Sequence, residues 1–188
     1  DSIRWQMIPN TYEMWWETDA EEAVLRLTKE SAIWWNPERL EKAKNKDLSA
    51  EEAVILASIV QAETSNISEA PIVAGLYLNR LKIGQALQAD PTLIYAWDDI
   101  SITRVLNKHK EIDSPYNTYT HAGLPPGTIR TPEPTYIDAV LNAAEHDFFY
   151  MCAEPGGTGK HVFERRYTDH LRNAKKYQNW LNKQNIYR

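Results

Sequence analysis

The sequence predicts an α+β domain, rich in helix, arranged around one buried helix and carrying a β-hairpin near its C-terminus. Three observations point there. Residues 53–60 (A-V-I-L-A-S-I-V) are almost wholly apolar, so a helix through them is buried on most of its circumference. Segments with helical spacing of apolar residues recur before and after it. Farther on, D-F-F-Y-M-C-A (147–153) and H-V-F-E-R (161–165) flank P-G-G-T-G (155–159), the pattern of two strands and their turn.

The 188 residues suffice for one domain, or one domain with a small appendage. We place the boundary at 48/49: residues 1–48 form an N-terminal helical appendage and residues 49–188 the main domain. A net charge of −5 argues against nucleic acid as a partner. Cys152 is the only cysteine, so no internal disulfide forms; its apolar run reads as the site of a buried, inert thiol. No run is long enough to span a bilayer and no signal-peptide pattern is present. The opening Asp1-Ser2-Ile3-Arg4, without a Met, reads as that of a processed or truncated piece. Seven Trp and ten Tyr against three Phe suit surfaces that stack on sugar rings, although many of them serve a core equally well.

In chain order, Ile8 to Tyr12 reads as an extended entry, followed by Met14-Trp15-Trp16. The tryptophans are expected to pack on the main domain rather than to serve as sugar platforms. Thr18 and Glu21 have capping-box spacing for a helix to about Trp34. Asn36-Pro37 starts a shorter helix that ends in the solvated K-A-K-N-K run. Ser49 and Glu52 form another capping box and open the central helix. Leu56, Ile59, Val60 and Glu63 then share one face, and Thr64-Ser65-Asn66 ends the helix near Glu63.

Ser68 is expected to cap a helix over 69–82, with Pro71 in its first turn and Gly84 as its stop. Residues 87–96 (L-Q-A-D-P-T-L-I-Y-A) read as a loop broken at Pro91 and bearing Gln88, Asp90 and Thr92, then a short buried segment through Tyr95. A short helix over 102–108 leads into residues 113–129, the longest irregular stretch. Its density of Tyr, Asn, Thr, Pro and Gly marks a functional loop rather than disorder. Thr131-Pro132-Glu133-Pro134 opens a helix through Ile137, Val140 and Leu141. After the hairpin, Thr168 or Asp169 caps the last helix, with Leu171, Ala174, Tyr177 and Leu181 as its inner face.

The chemistry centres on Glu63. A carboxyl on an apolar face at a helix tail is desolvated and meets the negative end of the helix dipole, and both effects raise its pKa. An acid protonated near neutral pH can donate a proton to a departing oxygen. The plain alternative is a Glu at a frayed helix end that reaches solvent or bonds a nearby Arg. Other chemistries fit less well. There is no G-x-S-x-G and no H-E-x-x-H, and the five histidines have no paired helical spacing, so neither a metal nor a cofactor is expected. Asp90 and the neutral hydrogen bonders Gln88, Thr92, Asn117 and Thr118, with tyrosines beside them, supply the polar groups and aromatic faces of a sugar groove. Glu63 supplies the acid that glycoside cleavage needs.

These residues resemble a known family, the endolytic murein transglycosylases or YceG-like proteins. The matching blocks are L-A-S-I-V-Q-A-E-T (56–64), V-A-G-L-Y-L-N-R-L (73–81), L-Q-A-D-P-T-L-I-Y (87–95) and D-S-P-Y-N-T-Y-T-H-A-G-L-P-P-G-T-I (113–129). P-N-T-Y (9–12), Y-M-C-A and G-K-H-V-F match as well. The resemblance implies a peptidoglycan lytic transglycosylase that cuts glycan strands internally, with Glu63 as catalytic acid and base. It implies a substrate-binding set of Asn79, Arg80, Gln88, Asp90, Thr92, Tyr95, Tyr116, Asn117, Thr118 and Tyr119, in which Asn79 and Arg80 brace the site. It also implies a bacterial cell-envelope location, at the periplasmic face of the inner membrane, and cell-wall synthases as partners. The N-terminal membrane anchor and LysM-like domain of such proteins are missing here, as in a catalytic fragment, and residues 49–188 become the catalytic domain. A lysozyme-like topology is one arrangement it could take.

One departure stands out. Many members read E-K-E-T where this chain has Gln61-Ala62-Glu63-Thr64. Were the acid carried at position 61, the protein would be inactive; helical geometry puts position 61 about 160° from 63 and off the apolar face. A hydrolytic muramidase using Asp90, and a non-catalytic glycan-binding scaffold, are the alternatives.

Overall fold

The computed structural model describes residues 3–102 and 105–184. The fold is α+β. Helices α1 (Ala20–Trp34), α2 (Pro37–Lys44), α3 (Ala50–Glu63), α4 (Ala70–Lys82), α5 (Asp90–Trp97) and α6 (Pro134–Leu141) precede strands β1 (Tyr150–Ala153) and β2 (His161–Glu164), and α7 (Tyr167–Lys183) follows them. The strands pair antiparallel, with Tyr150 opposite Glu164 and Ala153 opposite His161.

α3 is the centre. Its capping box is complete: Ser49 accepts from the Glu52 backbone N–H, and Glu52 accepts from that of Ser49. Every residue from Ala53 to Val60 is buried. Leu56, Ile59 and Val60 meet Val73 and Leu76 of α4 and Ile137 and Val140 of α6 in one hydrophobic cluster. Each such side chain contributes about 1.5–3 kcal/mol relative to exposure. Ser58 and Gln61 of α3, and Thr64 just past its end, accept hydrogen bonds from α6 and the segment leading into it. Ser58 Oγ accepts from Ile129 N–H (3.2 Å), Gln61 Oε1 from Glu133 N–H (2.8 Å), and the Thr64 carbonyl from Tyr136 OH (3.1 Å).

Ile8, Trp35 and Ala43, from the first 48 residues, lie in the same cluster as α3. α4 runs close to the chain after α6. A Cβ on Gly75 would stand 2.3 Å from the Ala144 carbonyl oxygen, so only glycine allows the approach. His146 fastens this contact, donating from Nε2 to the Ile72 carbonyl (2.9 Å) while Nδ1 accepts from Phe148 N–H (3.1 Å).

Several expectations are corrected. Asp19, not Thr18, caps α1, accepting from Glu22 N–H; its charge complements the helix N-terminus, which a threonine hydroxyl does not. Trp15 and Trp16 are 87% and 100% exposed rather than packed. Ser68 does not cap α4, because its N–H and hydroxyl both donate to Asn66 Oδ1 in the preceding turn. Residues 90–97 are helical, with Pro91 in the first turn, where no N–H is required. The helix expected over 102–108 falls partly on residues 103 and 104, outside the described residues; a 3-10 turn occupies Asn107–Glu111. β1 is four residues, not seven. Cys152 is half-buried rather than enclosed in a core. α7 starts at Tyr167, with Arg166 at its cap position. Leu171 is 48% exposed, and the face of α7 turned inward bears His170, Asn173, Ala174 and Tyr177.

Candidate active site

Glu63 is the last residue of α3, and its side chain opens onto a trough made of two adjoining hollows. One, of about 360 Å³, is lined by Tyr77 and Arg80 of α4, by Gln88, Asp90 and Tyr119, and by the β1 and α7 side chains Tyr150, Cys152 and His170. The other, of about 390 Å³, runs past Ser65, Glu154, Lys160 and Trp180. Glu63, Ala153, His161 and Tyr177 line both, so the carboxyl stands where the two meet. A larger hollow of about 770 Å³ lies elsewhere, against Gly75, Leu78, Asn79 and Lys82; it holds Asn79 but no other candidate residue.

The Glu63 carboxyl keeps some surface toward the trough, yet it is surrounded by protein, and its pKa is raised to about 7. Burial is the main cause. The Tyr77 hydroxyl, donating to Oε1 at 2.7 Å, opposes it; the Asp90 charge adds to it, and Arg80 opposes it again. The α3 dipole acts in the raising direction. Since Oε1 accepts from Tyr77, the proton of the neutral acid sits on Oε2. Burial and the neighbouring Glu63 push the Tyr77 hydroxyl well above its ordinary range, so it stays a donor.

Five of the eleven sequence-derived residues line the trough: Glu63, Arg80, Gln88, Asp90 and Tyr119. Arg80 is buried, donating from Nε to the Phe149 carbonyl (2.7 Å) and from Nη1 to that of Leu87, which joins the β1 wall to the 87–92 turn. Asp90 Oδ1 accepts from the Tyr119 hydroxyl. That bond, after burial, raises the Tyr119 pKa.

Three more of the eleven form the latch behind them. Thr118 Oγ1 accepts from Ala89 N–H (3.0 Å) and lies 2.8 Å from Thr92 Oγ1, which itself donates to the Ala89 carbonyl. Asn117 donates to the Lys110 and Ile112 carbonyls (both 2.9 Å) and accepts from Tyr119 N–H. All three are buried. They hold Gln88 in the left-handed region (φ +49°), a conformation costing a side-chain-bearing residue about 1–2 kcal/mol, and its N–H donates to the Thr118 carbonyl. The remaining three lie off the trough. Tyr95 and Tyr116 pack on each other (centroids 4.7 Å apart), and Asn79 donates to the His146 and Phe148 carbonyls.

Sequence reasoning missed Tyr77, Tyr150, His161, His170 and Tyr177. Tyr77 was within reach, being three residues before Arg80 on the same helical face. His170 and Tyr177 share the 170-173-174-177 spacing of the α7 inner face. Tyr150 and His161 fall within the matching blocks Y-M-C-A and G-K-H-V-F, but no helical spacing ties them to Glu63.

The family model described as the YceG-like family matches residues 2–176. The chain belongs to that family. Relatives named endolytic murein transglycosylase include one from Bacillus subtilis, 32% identical over 161 residues (86% of this chain and 44% of that protein). Another, from Streptococcus pneumoniae, is 28% identical over 181 residues (92% and 32%). The chain thus spans less than half the length of these curated relatives. A crystal structure of a YceG-like protein from Listeria monocytogenes superposes with a TM-score of 0.77 at 28% identity, covering 89% of this chain and 54% of that one. Within this YceG-like chain, Gln61 points toward α6 rather than the trough.

Proposed function

We propose that this YceG-like chain is the catalytic part of a lytic transglycosylase acting on peptidoglycan glycan strands in the bacterial cell envelope. The observation that carries the proposal is Glu63: an acid with a pKa of about 7 where two hollows meet, beside aromatic and hydrogen-bonding side chains. The relatives' shared name supports the substrate class. Strands newly made by cell-wall synthases would be its substrate. Among the described residues no helix is long and apolar enough to cross a membrane.

In this mechanism neutral Glu63 protonates, from Oε2, the oxygen that joins N-acetylmuramic acid to N-acetylglucosamine, and the bond from that oxygen to C1 breaks. The muramyl C6 hydroxyl attacks C1 and passes its proton to the Glu63 carboxylate. Glu63 is again neutral, no water is consumed, and the strand ends in a 1,6-anhydro ring. One carboxyl suffices because the nucleophile is tethered to the reacting carbon; a well-oriented intramolecular hydroxyl replaces several kcal/mol of bimolecular ordering. Asp90 and Arg80 shape the field around the carboxyl, while Gln88 and Tyr119 hold sugars.

Mass spectrometry of purified glycan strands digested by the protein tests this. Anhydro ends are the expected product. Reducing ends would transfer the reaction to water, with Asp90, which lines the same hollow, as the group that activates it. Strands left intact by a protein that still binds them would make it a scaffold.

A further inference from the structure

The start of β2 is fastened to the start of α4 through one residue pair that the mechanism above leaves unused. The His161 backbone N–H donates to Glu69 Oε1 (3.1 Å), and His161 Nδ1 lies 3.0 Å from Glu69 Oε2. Both side chains are largely withdrawn from solvent, at 15% and 11% exposure. A carboxylate only accepts hydrogen bonds, so Nδ1 carries a hydrogen, and in the tautomer this selects Nε2 carries a lone pair.

That lone pair has no hydrogen-bond partner among the described residues. Nor is it sealed in protein, as the unpartnered Nδ1 of His170 is. His161 lines both hollows of the trough together with Glu63, so its ring stands at the place where they join. A pair serving only to tie β2 to α4 needs Nδ1 and the backbone N–H. It does not need the ring to line the trough beside Glu63.

We infer that His161 is a glycan-contacting residue: fixed through Nδ1 by Glu69, its Nε2 accepts a hydrogen bond from a hydroxyl of the sugar bound beside Glu63. The inference rests on the glycan-cleaving reading and extends it. Glu69 is then a positioning residue, since its carboxylate selects the tautomer that leaves Nε2 an acceptor. No proton changes owner at His161; Glu63 keeps both transfer steps.

Two isosteres separate contact from support. Asparagine places its amide nitrogen where Nδ1 stands, so His161→Asn keeps the Glu69 bond and removes Nε2. Glutamine reaches the Nε2 position and gives up Glu69. His161→Asn should melt with the wild type and lose roughly tenfold in kcat/KM on purified glycan strands, mainly through KM. His161→Gln should melt lower yet retain more activity per folded molecule than His161→Asn. Wild-type kcat/KM in His161→Asn, with His161→Gln the poorer enzyme, would reduce the pair to a structural tie.

If His161→Asn itself melts well below the wild type, Glu69→Gln takes its place. Its amide donates to Nδ1 and turns Nε2 from acceptor to donor, so KM should rise several-fold; an unchanged KM overturns the inference. Should the wild type leave strands uncut, the glycan-cleaving reading fails by itself. Co-sedimentation with the same strands then decides the contact: weaker retention of His161→Asn supports it, and equal retention overturns it.

Discussion

The trough has two unlike walls. The inner wall, α3 and α4 backed by α6, is close-packed: Leu56, Ile59, Val60, Leu76 and Ile137 have no exposed surface. The outer wall, the hairpin and α7, has no fully buried residue. Yet it supplies Tyr150, Cys152, His161, His170 and Tyr177 to the lining. The inner wall can therefore hold a carboxyl in low dielectric, where its pKa is raised to about 7. The outer wall, only partly buried, is less suited to that. The acid thus sits on the close-packed side, and the facing side is the more exposed one.

The deepest break in that contrast is Glu63→Gln. Cleavage should fall by about 10²–10⁴-fold while the circular dichroism spectrum stays that of the wild type. Unchanged cleavage would remove Glu63 from the mechanism.

The same variant sharpens the contrast through stability. Glu63 is raised from about 4.3 in the unfolded chain to about 7 in the folded one, so between these values the folded state binds more protons. Its contribution is fully present below about pH 4.3 and is lost as pH rises through 7. Glu63→Gln should therefore be more stable than the wild type at pH 8, by up to roughly 4 kcal/mol, with little difference at pH 4. Denaturant melts at the two pH values check this.

Truncation should separate the walls in a comparable way. Leu56→Ala is expected to cost about 2–5 kcal/mol, because the closed core cannot collapse onto the cavity. Leu171→Ala on α7, 48% exposed, should stay within about 0.5 kcal/mol. Similar losses at both positions would erase the distinction.

Smaller effects come from tuning the acid. The Tyr77 bond lowers the Glu63 pKa and the Asp90 charge raises it. Activity requires protonated Glu63, so it should decline above about pH 7. Tyr77→Phe should shift that decline to higher pH, and Asp90→Asn to lower pH. Profiles of kcat/KM that move together, or not at all, would show that neither group governs the acid.

The walls also differ in how far they could be read from sequence. The α3 capping box, the apolar run 53–60 and the helix end at Glu63 are local, and all three match the structure. So do the Asn36 cap with Pro37 behind it and the hairpin glycines, two of which, Gly157 and Gly159, take φ +69°. Short-range chemistry failed where two local options compete. Asp19 displaced Thr18 as a cap, and Pro91 opened a helix instead of breaking one. On α7, apolar identity favoured Leu171, whereas packing turned His170 inward beside Tyr150 (centroids 5.5 Å apart).

By itself, the sequence determined that one apolar helix would be buried and that an acid would end it, because helical periodicity and capping act within a few residues. Only the tertiary structure decided what that acid meets. Tyr77 lies 14 residues away from Glu63, Asp90 is brought in by a latch to residues 117–119, and His161 arrives from the far strand on Glu69. A pKa is set by distances through space and by how much water is excluded, and neither quantity is written in the order of residues along a chain.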